Sequence, residues 1–125
     1  PPHQVVGTTF ALKPGEADGR ITLTRQPQID FVDDGPGKPI GIARHIGARP
    51  IVAFGNSDGD YEMLRYVTEG AGLRLGMIVH HDDAAREYAY DRKTQIGRLD
   101  RALDEAATRG WNVISMRADW SRIFP

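Results

Sequence analysis

From Pro50 to Leu64 the chain reads Pro-Ile-Val-Ala-Phe-Gly-Asn-Ser-Asp-Gly-Asp-Tyr-Glu-Met-Leu. A short apolar strand runs into a loop of Gly, Asn and Asp, and then into the start of an amphipathic helix. This succession constrains the fold more than any other stretch, because apolar strands alternating with helices build a buried, mainly parallel sheet. Asp60, Met63, Leu64 and Val67 fall at i, i+3, i+4 and i+7. Asp60 is therefore expected at the loop end of the buried helix face, where the amino terminus favours negative charge.

The same alternation extends over residues 38–125. Pro39 suits a first helical position, Ile42 and Ile46 follow at i, i+4, and Gly47 supplies a stop. Leu73 to His80 reads as a second apolar strand, and Asp82 to Arg92 as a short helical turn and then loop. Leu99, Leu103 and Ala106 mark a further amphipathic helix, with Arg101–Glu105 and Glu105–Arg109 at i, i+4 on its surface and Gly110 at its end. Trp111 to Met116 is a last strand, and the Trp120 to Phe124 tail is expected to dock on the body. Residues 5–33 read differently. Val5 to Phe10 is β-prone, Gly15 to Gly19 turn-like, and Arg20 to Thr24 alternates with period two, so a β-hairpin with one wet face is expected. Ile29 to Val32 is a third extended piece before the turn cluster Asp33-Asp34-Gly35-Pro36-Gly37. The fold class expected is α/β, one domain over 1–125, with a mainly parallel sheet flanked by helices and an N-terminal β-hairpin.

At 125 residues and 13.8 kDa the chain has room for one core. Its formal charge is −1, with both signs mixed along the sequence. No basic block supports a nucleic-acid or membrane-surface partner. The absence of cysteine removes disulfides, thiolate metal sites and cysteine catalysis, and leaves the compartment open.

Three side-chain oxygen groups, Asn56, Asp58 and Asp60, lie within five residues at the carboxyl end of the strand. That density suits a hard cation such as Mg²⁺; the alternative is an ordinary turn with an N-cap aspartate. Lys38 follows Gly35 and Gly37 at a helix start, where backbone N–H groups and a cation could hold phosphate; the alternative is a solvated surface lysine. His80 and His81 are adjacent on a strand and point to opposite faces, so a solvated strand end is expected rather than a metal pair. Asp30, Asp33 and Asp34 read as turn residues. Tyr88, Tyr90, Trp111 and Trp120 read as core or edge packing.

The Lys38 region together with Phe54-Gly-Asn-Ser-Asp-Gly-Asp-Tyr-Glu-Met63 resembles the haloacid dehalogenase superfamily, specifically its phosphoserine-phosphatase-like phosphohydrolases. Gly55, Asp60 and Met63 match the last motif of that family, Asn56 stands at its first acidic position, and Lys38 at its basic residue. The run from Lys38 to Arg92, including Val79-His-His-Asp82, is similar to bacterial members, and Gly97 to Phe124 looks like their carboxyl terminus. The resemblance implies a Rossmann-like core and a Mg²⁺-dependent phosphatase acting on a small phosphomonoester. It also implies Lys38 and Asp60 as catalytic residues, Lys38 as the phosphate-binding one, and Asn56, Asp58 and Asp60 as the metal set. Asn56 in place of a carboxylate implies modest metal affinity. The family's Asp-x-Asp nucleophile has no counterpart after an amino-terminal strand here. The chain, which starts Pro1-Pro2, is thus expected to be the carboxyl-terminal part of such an enzyme, with a strand edge left open for homo-oligomers. The alternative expectation is a non-catalytic phosphate- or metal-binding module, or an inert fragment of the fold.

Overall fold

The computed structural model describes residues 4–125. It is a mixed α/β molecule: an antiparallel hairpin of β1 (Thr9–Ala17) and β2 (Arg20–Phe31), and a parallel sheet of β3 (Val52–Gly55), β4 (Leu75–His80) and β5 (Asn112–Ser115) in the order β3-β4-β5. Between them run α1 (Gly37–His45), α2 (Tyr61–Thr68) and α3 (Arg101–Glu105).

The hairpin is longer and barer than its sequence suggests. Its turn is Asp18-Gly19 alone, both at positive φ (50° and 69°), the mirror-image turn whose twist matches paired strands. Gly15 is no part of it and lies in the ladder opposite Thr22. The Ile29 to Val32 piece is not separate, because β2 runs on to Phe31 past irregularities near Phe10. The expectation of a single wet face also fails. Leu12 and Leu23, on one side of the ribbon, are exposed, as are Ile21 and Ile29.

At its base the hairpin meets α1. Gly37 and Gly41 are the buried residues of this helix, and a Cβ on Gly37 would strike the Val32 carbonyl. Only glycine permits that approach. Pro36 is the N-cap, so Pro39 occupies the third helical position rather than the first and Lys38 the second. Either place suits proline, since the first four N–H groups of a helix lack partners.

Beyond α1 lies the core. Ala53 of β3 and Ile78 of β4 are closed beneath Tyr61, Leu64 and Val67 of α2, together with Leu99, Ala102 and Ala106 of the α3 region. Trp111 completes the cluster, edge-on to Tyr61 at 5.6 Å and donating from Nε1 to Thr68 Oγ1 at 3.0 Å. The Tyr61 hydroxyl donates to Glu105 at 2.5 Å, and both expected arginines, Arg101 and Arg109, reach the same carboxylate. The helices of the core cover one side of the sheet only. On the other, Val52, Phe54 and Leu75 are exposed among the described residues. "Flanked by helices" is thus corrected to helices on one face. The tail departs as well: Trp120 and Phe124 do not dock by their rings. The Arg86 guanidinium holds the segment instead, donating to the carbonyls of Met116, Arg117, Trp120 and Ser121.

Candidate functional site

The loop after β3 folds back on its strand. Asp60 lies over Gly55 so closely that a Cβ there would fall 2.6 Å from the Asp60 Cβ, so glycine is required at this position. Its Oδ2 accepts from the backbone N–H of Asn56 (2.9 Å) and of Ser57 (3.2 Å), and from Ser57 Oγ (3.3 Å). Its Oδ1 lies 3.3 Å from Lys38 Nζ. Only 6% of Asp60 is exposed. A carboxylate this buried is tolerated because every near neighbour is a donor or a cation. The periodicity argument for Asp60 therefore holds: it sits at the loop end of the buried face of α2.

Lys38 reaches Asp60 because two turns are tied together. Gly37 N–H donates to Asp34 O at 2.9 Å and Lys38 N–H to Gly35 O at 3.2 Å, which starts α1. Gly35 N–H then donates to Gly59 O at 3.0 Å, crossing from the lysine turn to the acidic loop. Asp34 comes with it, and a Cβ on Gly59 would strike its Oδ1. Sequence reading placed Asp34 in a turn, which is right, but did not bring it to this loop. The one available signal was a glycine in the acidic run at the point of contact.

Asp58 faces elsewhere. Its two oxygens accept from the backbone N–H groups of Asp100 (3.2 Å), Arg101 (3.2 Å) and Ala102 (3.0 Å), and its own N–H donates to Arg98 O at 2.7 Å. It serves the otherwise unsatisfied amino terminus of α3 from 42 residues away, work normally done by an N-cap in the preceding position. Of the three expected metal ligands, Asp60 meets Lys38, Asp58 is engaged by α3, and Asn56 turns its Nδ2 to Tyr90 Oη at 2.5 Å. That leaves the Asn56 side-chain oxygen and Asp60 as donors. One carboxylate and one neutral oxygen are the share a protein gives to Mg²⁺ when phosphate and water supply the rest. Such an ion would be held jointly with phosphate and would share Asp60 with the donors already bonded to it. Among the described residues no group of three His, Asp or Glu side chains could hold a metal alone.

The two histidines diverge, as alternation along β4 requires, yet neither is a solvated strand end. His80 Nε2 lies 3.4 Å from Asp91 Oδ2, and His81 Nδ1 lies 2.6 Å from Glu87 Oε2. The His81 ring stacks on Tyr90 at 4.6 Å, and Tyr90 N–H donates to His81 O at 3.0 Å. The side chain of Glu87 is 6% exposed, and its Oε1 finds no hydrogen-bond partner among the described residues. Asn56 thus stands between a cleft of about 280 Å³ shared with Phe54, Val79 and His81, and a larger one beside Tyr90. Tyr88 and Tyr90 are no part of the core. Nothing in the residues before position 82 foretells these contacts, because the segment carrying them has little regular structure.

Comparison with protein-family models gives no match to this chain, and comparison with curated proteins gives none either.

Proposed function

We propose that the chain carries the phosphate-handling part of a Mg²⁺-dependent phosphatase, hydrolysing a small phosphomonoester to an alcohol and inorganic phosphate. The observation that carries this reading is the Lys38–Asp60 pair, 3.3 Å apart on two adjoining turns, with Asp60 in the loop at the carboxyl end of the parallel strand β3. Ligands of α/β sheets bind at the carboxyl ends of the strands. Lys38 draws the phosphoryl group and offsets its charge, with the amino terminus of α1 behind it. Asp60, held by two backbone N–H groups and by Lys38, fixes the position of that ammonium. Mg²⁺, when bound by Asp60 and the Asn56 oxygen, would neutralise charge on the phosphoryl oxygens.

Release of phosphate from 4-nitrophenyl phosphate, with and without Mg²⁺, tests the proposal. Metal-dependent release that falls at least about 100-fold in Lys38→Ala, as loss of a transition-state donor does, supports it. Equal release by both proteins contradicts it. The second reading, phosphate binding without turnover, is favoured by the engagement of Asp58 with α3, which leaves Asp60, itself paired with Lys38, as the other carboxylate of the loop. Calorimetric phosphate binding with no release would select it.

The reading extends to assembly. Among the described residues the outer edge of β3 pairs with no strand, and Val52 and Phe54 of that strand are exposed. We infer that copies of the chain associate along this edge. A monomeric mass by light scattering across a wide concentration range would refute that.

A further inference from the structure

Next to Asn56 opens a cleft of about 670 Å³, the size of a small-molecule site. One of its walls is rigid. Tyr90 is stacked on His81, bonded through Oη to Asn56, and pressed against Gly97, where a Cβ would meet the ring at 2.8 Å. Gly97 also sits at φ +70°, so residues with a side chain are doubly disfavoured there. Thr94 Oγ1 donates to Asp91 O at 2.9 Å and steadies the loop opposite. The remaining apolar walls are open to solvent: Tyr88 is 82% exposed and Ile96 91%. Tyr88 stands 6.4 Å from Tyr90, its ring tilted by 33°. Among the described residues no charged side chain lines the cleft.

Exposed apolar side chains gathered around a concave site next to a polar corner are the arrangement of a ligand pocket rather than of scattered surface residues. We propose that this cleft receives the aromatic leaving group of an aryl phosphomonoester, its ring laid along Tyr90 and flanked by Tyr88 and Ile96, with the ester end at Asn56. The inference rests on the phosphatase reading and names its substrate class. One face of Tyr90 is taken by His81, so a flat ring meets the part of Tyr90 that lines the cleft and gains offset or edge contacts that an alkyl group does not. A zwitterionic leaving group such as an amino acid meets no counter-charge there, and its desolvation would go uncompensated.

Calorimetric titration of the full chain in Mg²⁺ with phenyl phosphate, methyl phosphate and phenol tests the proposal. Phenyl phosphate is expected to bind about tenfold tighter than methyl phosphate, the worth of partly burying one ring. Tyr88→Ala and Ile96→Ser bring that ratio toward one, and both positions are exposed enough for the fold to survive. Leu73→Ser, equally exposed but away from the cleft, leaves the ratio unchanged. Equal binding of the two esters overturns the aromatic cleft and leaves the phosphate reading standing. A preference for aromatic probes that phenol shares, and that Lys38→Ala does not alter, upholds the cleft and overturns the phosphate reading.

Discussion

In the β1–β2 hairpin Leu12, Ile21, Leu23 and Ile29 lie open to solvent, whereas in the parallel sheet Ala53 and Ile78 are sealed beneath α2 and α3. Both regions show apolar residues at strand spacing. Alternation states which side chains share a face, but not whether anything will cover it; cover is a property of the helices that follow. The hairpin meets α1 through the glycine contacts with Phe31 and Val32, and the turn after it is tied to the acidic loop by the Gly35–Gly59 hydrogen bond. The sheet side, by contrast, fixes its loops by backbone hydrogen bonds that cross between turns. The candidate site lies where the two regions meet: Asp60 comes from the loop after β3, and Lys38 from the start of α1.

Truncation separates the two regions most sharply. Leu64 is fully buried, so Leu64→Ala should destabilise the protein by about 3 kcal/mol in urea denaturation. A loss below about 1 kcal/mol would mean that the core is looser than described. A smaller effect should follow pH. The Glu105 carboxyl is held down to about 2 by the Tyr61 hydroxyl, then by Arg101 and Arg109. Its folded value lies below the ordinary 4.5, so its stabilisation is fully present above pH 4.5 and is lost as pH falls toward 2. Glu105→Gln should flatten the stability profile across that window, modestly, because a third of the side chain is exposed. An unchanged profile would show that this cluster adds nothing. The smallest effect belongs to the hairpin: Leu23→Ser should change the unfolding free energy by less than about 0.5 kcal/mol. A large loss would reveal that the bare face is covered in solution.

The sequence shows the sheet side more plainly than the site. The β3–α2 unit and the inward Asp60 follow from a period of 3.6 over contiguous residues, and the Glu105 pairs from i, i+4 spacing. The hairpin turn was also readable, since Asp-Gly is a strong two-residue turn signal, but the wider Gly15 to Gly19 span obscured it. What stayed hidden depends on distant segments. Asp58 looks like a metal ligand until residues 100–102 arrive with unsatisfied N–H groups. His81 looks solvated until Glu87 and Tyr90 close on it. Asn56 acquires its partner from a loop 34 residues away. None of these contacts has a local period to betray it.

The central claim is that Lys38, held by Asp60, makes the end of β3 a phosphate site. Calorimetric titration of inorganic phosphate into the protein in Mg²⁺, in parallel with Lys38→Ala, tests it most directly. The account predicts saturable binding by the parent chain, weakened at least about tenfold in the variant, as removal of a charge-assisted contact requires. Binding of equal strength in both proteins, or phosphate binding by neither, would contradict it.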